Sequence, residues 1–230
     1  DATIEVTEEI HYYFDTLKHG IYWEYPIEYS VSGFSRATSF DLDQMYYYPE
    51  GRLENKRGAY EESRGKGWIG LKIGEAERTI TGNYVYVIKY TLQDVGISYF
   101  DDHDEVYFNV IGPGWQVPIL ESNAYITSFM DPTDTICYTG SQDSTAQNCQ
   151  FTQADEGVVL STTSVLQSYE GLTFAFKYPP DSLGRIRKKR PAKLIISNLG
   201  IFLPIPVGIF LSRLLKKKWK NRKITVIPHY

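Results

Sequence analysis

The chain is poor in the residues that most often carry nucleophilic chemistry or hold a metal ion. Its 230 residues include 2 cysteines and 4 histidines, and no Gly-x-Ser-x-Gly nucleophile motif is present. Glycine motifs for phosphate binding do not occur in the strand context that they require. The sequence therefore gives no support to a serine hydrolase or a nucleotide-binding enzyme, and it suggests no cofactor. An enzyme of another kind stays open.

Acidic residues are missing from residues 185–230, whereas they dominate the rest of the chain. Residues 1–184 carry 11 lysines and arginines against 28 aspartates and glutamates, a balance of −17. Residues 185–230 carry 13 basic residues. A protein that binds nucleic acid needs an excess of lysine and arginine to neutralise phosphates, so we expect no nucleic-acid partner.

One stretch lacks charge for long enough to cross a membrane. Residues 194–215 read LIISNLGIFLPIPVGIFLSRLL, with Arg213 as the single charged residue. At about 1.5 Å per residue, a helix of this length would span roughly 33 Å, enough for a bilayer core. Pro204 and Pro206 predict a kink, which membrane helices tolerate. A buried helix of a soluble domain is the alternative, but the stretch has no polar stripe. We therefore expect a transmembrane α-helix in contact with lipid.

Helical periodicity is scarce before residue 179, and a two-residue alternation is common. From Ala2 to Phe14 the apolar residues fall on one parity, with Glu8 as the exception, which is the pattern of a half-buried strand. About ten such runs, separated by turn residues, predict an antiparallel β-sandwich, because the crossover helices of a parallel sheet are missing. The runs Gly67–Gly74 and Thr79–Leu92 are predicted to be neighbouring strands.

Three segments of this region do not fit the strand pattern. Pro49–Gly67 is charged and almost free of aliphatic residues, so we expect a long exposed loop. Gln116–Ser122 and Ser164–Tyr169 are the segments that could hold a turn of helix.

The two cysteines, Cys137 and Cys149, lie in a polar segment without a neighbouring histidine. A disulfide that closes this short loop would stabilise the fold by roughly 2 to 3 kcal/mol and would persist only in an oxidising compartment. Two unrelated free thiols are the alternative. The chain opens with Asp1 rather than methionine, and we expect that a secretory signal has been removed. Both features favour an extracytoplasmic location for the acidic part.

The densest group of polar side chains contains Asp101, Asp102, Asp104 and Glu105. Clustered carboxylates can bind Ca²⁺, but the spacing of a calcium loop is missing, so no metal is assigned. A carboxylate pair could also serve glycoside hydrolysis across a sugar-binding cleft. A solvated turn with one carboxylate bound to backbone explains the same residues. Trp115, which follows in the sequence, is a further weak binding candidate, and a core position is the preferred explanation for it.

Several pieces of sequence together resemble one bacterial family of predicted membrane proteins. They are VTEEI followed by Phe14, HGIYWEYP at His19–Pro26, GNYVYVIKYTL at Gly82–Leu92, DEVYFNVIGPGWQVPI at Asp104–Ile119, and the CYTG loop at Cys137–Cys149. In this order they resemble the domain of unknown function 2207. The resemblance implies a secretory signal, a β-rich extracytoplasmic domain and a membrane span, and it brings no activity.

These features divide the chain into four parts. We expect a β-sandwich domain at 1–178, a basic juxtamembrane linker at 179–193, a transmembrane helix at 194–215 and a basic cytoplasmic segment at 216–230. Residues 1–193 would then lie outside the cytoplasm and the C-terminus inside.

Two functions fit this organisation. The first is a membrane-anchored interaction module that binds another protein or an envelope component. The alternative is an extracytoplasmic enzyme, or a metal-dependent glycan-binding domain, that uses the acidic cluster from Asp101 to Glu105.

Overall fold

The computed structural model describes residues 3–31, 34–93 and 96–184. The expected membrane helix at 194–215 and the basic linker beyond residue 184 lie outside the described residues. Within those residues, no helix is long and apolar enough to cross a membrane. One 3₁₀ turn, Leu53–Asn55, interrupts a succession of strands.

Fifteen strands in antiparallel sheets build the described part of the chain, and they confirm the prediction of a mainly β protein. The first eight are β1 (Thr3–Lys18), β2 (Gly20–Pro26), β3 (Glu28–Val31), β4 (Phe34–Ala37), β5 (Ser39–Pro49), β6 (Tyr60–Gly65), β7 (Trp68–Gly74) and β8 (Ile80–Gln93). The others are β9 (Ile97–Tyr99), β10 (Asp104–Ile111), β11 (Asn123–Ile126), β12 (Asp134–Gly140), β13 (Cys149–Gln153), β14 (Val158–Thr162) and β15 (Gly171–Tyr178).

The strands up to β8 form two three-stranded sheets and a short hairpin. The first sheet has the order β1-β8-β5, the second has the order β2-β7-β6, and β3 pairs with β4. The chain passes from the first sheet to the second at Gly20, which pairs with Gly74. A Cβ atom on Gly20 would overlap the carbonyl of Ile73, and both glycines have positive φ, so this crossing requires glycine.

Aromatic side chains fill the space between these two sheets. Trp23 of β2 contacts Tyr90 of β8 with ring centroids 5.4 Å apart, and Phe40 of β5 stacks on Tyr90 at 5.0 Å. These residues belong to the buried apolar core. Burial of such large rings contributes strongly to the stability of a pair of sheets.

The strands after β8 form two further sheets, with the orders β12-β15-β10-β9 and β11-β14-β13. Phe151 of β13 packs against Phe176 of β15 with ring centroids 5.6 Å apart, so the two sheets share an apolar interior. Among the described strands, none of β1 to β8 pairs with any of β9 to β15.

Three sequence expectations about local structure are wrong. Strands β7 and β8 are not neighbours, because β7 pairs with β2 and β6 while β8 pairs with β1 and β5. The segment Pro49–Gly67 contains strand β6 in addition to loop. The segments Gln116–Ser122 and Ser164–Tyr169 contain no helical turn and instead pair with each other through Ile119 and Leu166.

Candidate functional site

The acidic cluster predicted from the sequence lies where β9 turns into β10, and its members point to different environments. Asp101 and Asp102 are exposed. The Oδ1 atom of Asp102 lies 2.8 Å from Nδ1 of His103, and this hydrogen bond lowers the pKa of Asp102. Glu105 is half-buried, with its Oε2 atom 3.8 Å from the other ring nitrogen of His103. The imidazole of His103 therefore stands between two carboxylates.

Asp104 is fully buried, and its side chain forms a hydrogen bond within the fold. It pairs with Tyr99 on one side and Tyr178 on the other, in the middle of its sheet. Its Oδ2 atom accepts a hydrogen bond from the backbone N–H of Leu183 at 3.0 Å. Asp104 thus fastens the segment that follows β15.

This arrangement gives no support to a metal-dependent site at the acidic cluster. Within residues 3–31, 34–93 and 96–184, no three side chains of His, Cys, Asp or Glu are grouped so that they could hold a metal ion. Asp104 faces the protein interior, whereas Asp101 and Asp102 face solvent.

Trp115 lies in the loop after β10 and is half-buried against the core. Its carbonyl accepts a hydrogen bond from the N–H of Tyr169 at 2.7 Å, and Ile119 and Leu166 exchange two backbone hydrogen bonds nearby. The structure therefore places Trp115 where two loops are held together.

The predicted disulfide between Cys137 and Cys149 is confirmed, with Cα atoms 6.2 Å apart. It joins β12 to β13, which are edge strands of two different sheets. An open cavity of about 370 Å³ runs beside it and is lined by Thr135, Gln147 and Phe151, among others. The bond thus fixes two sheets to each other.

Glu8, the exception in the alternation of β1, lies on the inward side of its strand. Its Oε1 atom accepts a hydrogen bond from the hydroxyl of Tyr90 at 2.6 Å, and its Oε2 atom accepts one from Nε1 of Trp23 at 2.8 Å. Burial raises the pKa of Glu8, and the two hydrogen bonds lower it by a smaller amount. The carboxyl group connects β1 to β2 and β8 inside the fold.

The outer face of the β2-β7-β6 sheet is the other polar site, and the sequence analysis missed it. Ile69, Leu71 and Ile73 of β7 are buried toward the core, so Trp68, Gly70 and Lys72 face outward. The register places three residues in each row across the sheet. The rows are Pro26, Trp68 and Gly65; Glu24, Gly70 and Ser63; and Tyr22, Lys72 and Glu61.

Gly70 occupies the centre of this grid, and it is one of the residues that line a depression in the sheet face. The depression has a volume of about 190 Å³. Its lining residues are Tyr22, Trp23, Glu24, Glu61, Glu62, Ser63, Gly70, Leu71 and Lys72. The Nζ atom of Lys72 lies 3.8 Å from Oε2 of Glu61. The carboxylates of Glu24 and Glu61, the ammonium group of Lys72 and the hydroxyl of Ser63 therefore surround the backbone of Gly70.

The indole of Trp68 lies over the backbone of its two neighbouring glycines. A Cβ atom on Gly65 would overlap the indole ring, and one on Gly70 would lie 2.8 Å from Cζ3 of Trp68. An aromatic ring that covers a cross-strand glycine is a known way to stabilise a sheet. Trp68 is still 38% exposed, so part of the ring faces solvent in the row next to Gly70.

The sequence contained a signal for this site. Gly65 and Gly70 flank Trp68, and the parity of β7 puts Trp68 and Gly70 on the outer face. The sequence pattern does not predict β6, because Tyr60 and the four residues after it are all exposed, and without β6 the predicted sheet lacks the partner row of Glu61, Ser63 and Gly65.

Comparison with known protein families gives a match over most of the chain. A family model described as the N-terminal domain of a predicted membrane protein (DUF2207) matches residues 1–178. No curated protein and no solved structure matches the chain.

Proposed function

The chain belongs to the DUF2207 family of predicted membrane proteins, and from this premise we propose that it is a membrane-anchored binding module displayed outside the cytoplasm. Its partner would be another protein or a component of the cell envelope. The observation that carries this proposal is the depression around Gly70, which lies on the outer face of a sheet whose inner face is packed.

A rigid sheet suits a binding site better than a mobile loop. Tyr22, Glu24, Ser63 and Lys72 project from three hydrogen-bonded strands, so their backbone positions are fixed before a ligand arrives. A preorganised site loses less conformational freedom on binding. Tyr22 is 71% exposed, although burial of its ring would be favourable, and surface tyrosine is a preferred contact residue of recognition surfaces.

Anchoring and topology form the second part of the proposal. We infer that the sheets of residues 1–178 form a β-sandwich, that residues 194–215 cross the membrane as a helix, and that residues 216–230 lie in the cytoplasm. The family match supports membrane association. The disulfide supports an oxidising compartment for the folded part, because such bonds rarely persist in the cytosol.

Site-specific photo-crosslinking in intact cells tests the binding function. A photoreactive phenylalanine analogue in place of Tyr22 should give a discrete adduct, because it faces the depression. The same analogue in place of Tyr13, which is 68% exposed on β1, is the matched control. Adducts at neither position, or the same adducts at both, would contradict a binding role for this face.

A further inference from the structure

We propose that the depression around Gly70 binds a sugar ring of an uncharged glycan. This inference rests on the proposed binding function and names its ligand. Three properties of the site carry it: the size of the depression, the mixture of polar groups that line it, and the exposed aromatic rings in the rows on either side of Gly70.

The size of the depression limits what can enter. Its volume of about 190 Å³ is below the range of roughly 300 to 1,000 Å³ that holds a drug-sized ligand or cofactor. It can take one ring-sized group, while the rest of a longer ligand runs out across the open sheet face. From β2 to β6 the site is about 10 Å wide, since neighbouring strands lie about 4.8 Å apart.

The polar groups match a ligand with several hydroxyls. A hydroxyl both donates and accepts hydrogen bonds. Glu24 supplies acceptors from the β2 side, Lys72 supplies donors from the next row, and Ser63 supplies a hydroxyl from the β6 side. Charged partners make stronger hydrogen bonds to neutral groups than neutral partners do.

The aromatic rings match the apolar face of a sugar. Trp68 and Tyr22 lie in the rows on either side of Gly70, and both are partly exposed. An aromatic face carries partial negative charge, and it attracts C–H groups of partial positive charge. The indole of Trp68 lies against Gly65 and Gly70, so this ring is in place before a ligand binds.

The charges of the site disfavour the simpler ligands. Three carboxylates line the depression, those of Glu24, Glu61 and Glu62, and they would repel an anion. Glu61 lies 3.8 Å from Lys72 and Glu62 lies 2.7 Å from Arg64, so two of the three already have a cationic partner and attract a further cation less strongly. The balance of −17 over residues 1–184 also disfavours a polyanion. A neutral ligand with both donors and acceptors is not repelled by the carboxylates, and it can form hydrogen bonds with them and with Lys72.

The test uses the full chain in detergent, a panel of defined hexasaccharides and one cationic peptide, with binding measured by calorimetry. The neutral probes are cellohexaose and chitohexaose. The charged probes are fully deacetylated chitohexaose, a hexamer of galacturonic acid and a lysine-leucine peptide. A neutral hexasaccharide should bind, and Tyr22→Ala should weaken its binding by roughly tenfold, the upper range of one aromatic contact. Glu24→Gln should also weaken it, because a charged acceptor becomes neutral.

The controls separate the sugar from the binding role. Tyr13→Ala changes an equally exposed tyrosine on another sheet and should leave binding unchanged. Circular dichroism would show that the variants at exposed positions fold. The proposal is overturned if neither neutral hexasaccharide binds, if only charged probes bind, or if binding survives both Tyr22→Ala and Glu24→Gln. If photo-crosslinks still form at Tyr22 in that case, the module binds another class of ligand. If they are also absent, the binding function itself fails.

Discussion

At the scale of single residues, Glu8 shows how one polar side chain can occupy an apolar stripe. The inward parity of β1 otherwise carries Ile4, Val6 and Ile10. A carboxylate in this row is tolerable because Trp23 and Tyr90 each donate a hydrogen bond to one of its oxygens, and a buried acceptor without such partners would cost about 1 to 3 kcal/mol. The same contacts tie three strands together at one point.

The raised pKa of Glu8 predicts a pH dependence of stability that Glu8→Gln should remove. The folded protein holds the proton of Glu8 more tightly than the unfolded chain, whose carboxyl has the ordinary value near 4.5. The contribution of this group to stability is therefore complete below that value, and it is lost as pH rises through the pKa of the folded state. Relative to the wild type, Glu8→Gln should gain stability as pH rises through this window.

Urea unfolding of the full chain in detergent, followed by tryptophan fluorescence from about pH 4 to pH 8, measures this difference. Glu5→Gln, an exposed change on the same strand, is the matched control. Parallel stability curves for the wild type and Glu8→Gln would show that the carboxyl of Glu8 does not titrate differently in the folded state.

At the scale of elements, a strand with one buried face could be predicted from its sequence, whereas a strand exposed on both faces could not. The alternation of β1 was predicted because one side of the strand meets the core and the other meets water. Strand β6 was missed because Tyr60 and the four residues that follow it are exposed on both faces of an edge strand. Partners could not be predicted either: β7 and β8 are consecutive, but Gly74 and Gly20 take part in a crossing between sheets.

The disulfide joins two strands, and the loss of stability on its removal can be predicted. The double variant Cys137→Ala, Cys149→Ala frees a loop of sequence separation 12 that joins β12 to β13. In the chain-entropy model such a loop is worth about 3 kcal/mol. We expect the variant to unfold at a lower temperature than the oxidised wild type, as measured by circular dichroism.

Reductant supplies the control for the disulfide prediction. Dithiothreitol should lower the unfolding temperature of the wild type to that of the double variant and should leave the variant unchanged. An equal response of both proteins to reductant, or no difference between them without it, would contradict a stabilising bond.

At the scale of the whole molecule, the last residues of the acidic part, Leu183 and Gly184, are hydrogen-bonded to the folded strands. The segment after β15 is held by the N–H of Leu183 on Asp104 and by the carbonyl of Gly184, which accepts from the hydroxyl of Tyr99. The sequence predicted the acidic cluster, but not that Asp104 holds this segment, because its contact with Leu183 joins residues 79 positions apart.

If residues 194–215 cross the membrane, the disulfide predicts which side each part occupies, because it places the acidic part outside the cytosol and residues 216–230 inside. Cysteine introduced at exposed Tyr13 should react with a membrane-impermeant maleimide in intact cells, because the native cysteines are paired and leave only the new thiol. Cysteine introduced at Asn221, within the basic end, should react only after the membrane is opened. Labelling of both positions in intact cells, or of Asn221→Cys alone, would contradict the proposed topology. Labelling of Asn221→Cys alone would in addition place the bond between Cys137 and Cys149 in the cytosol, where disulfides rarely persist.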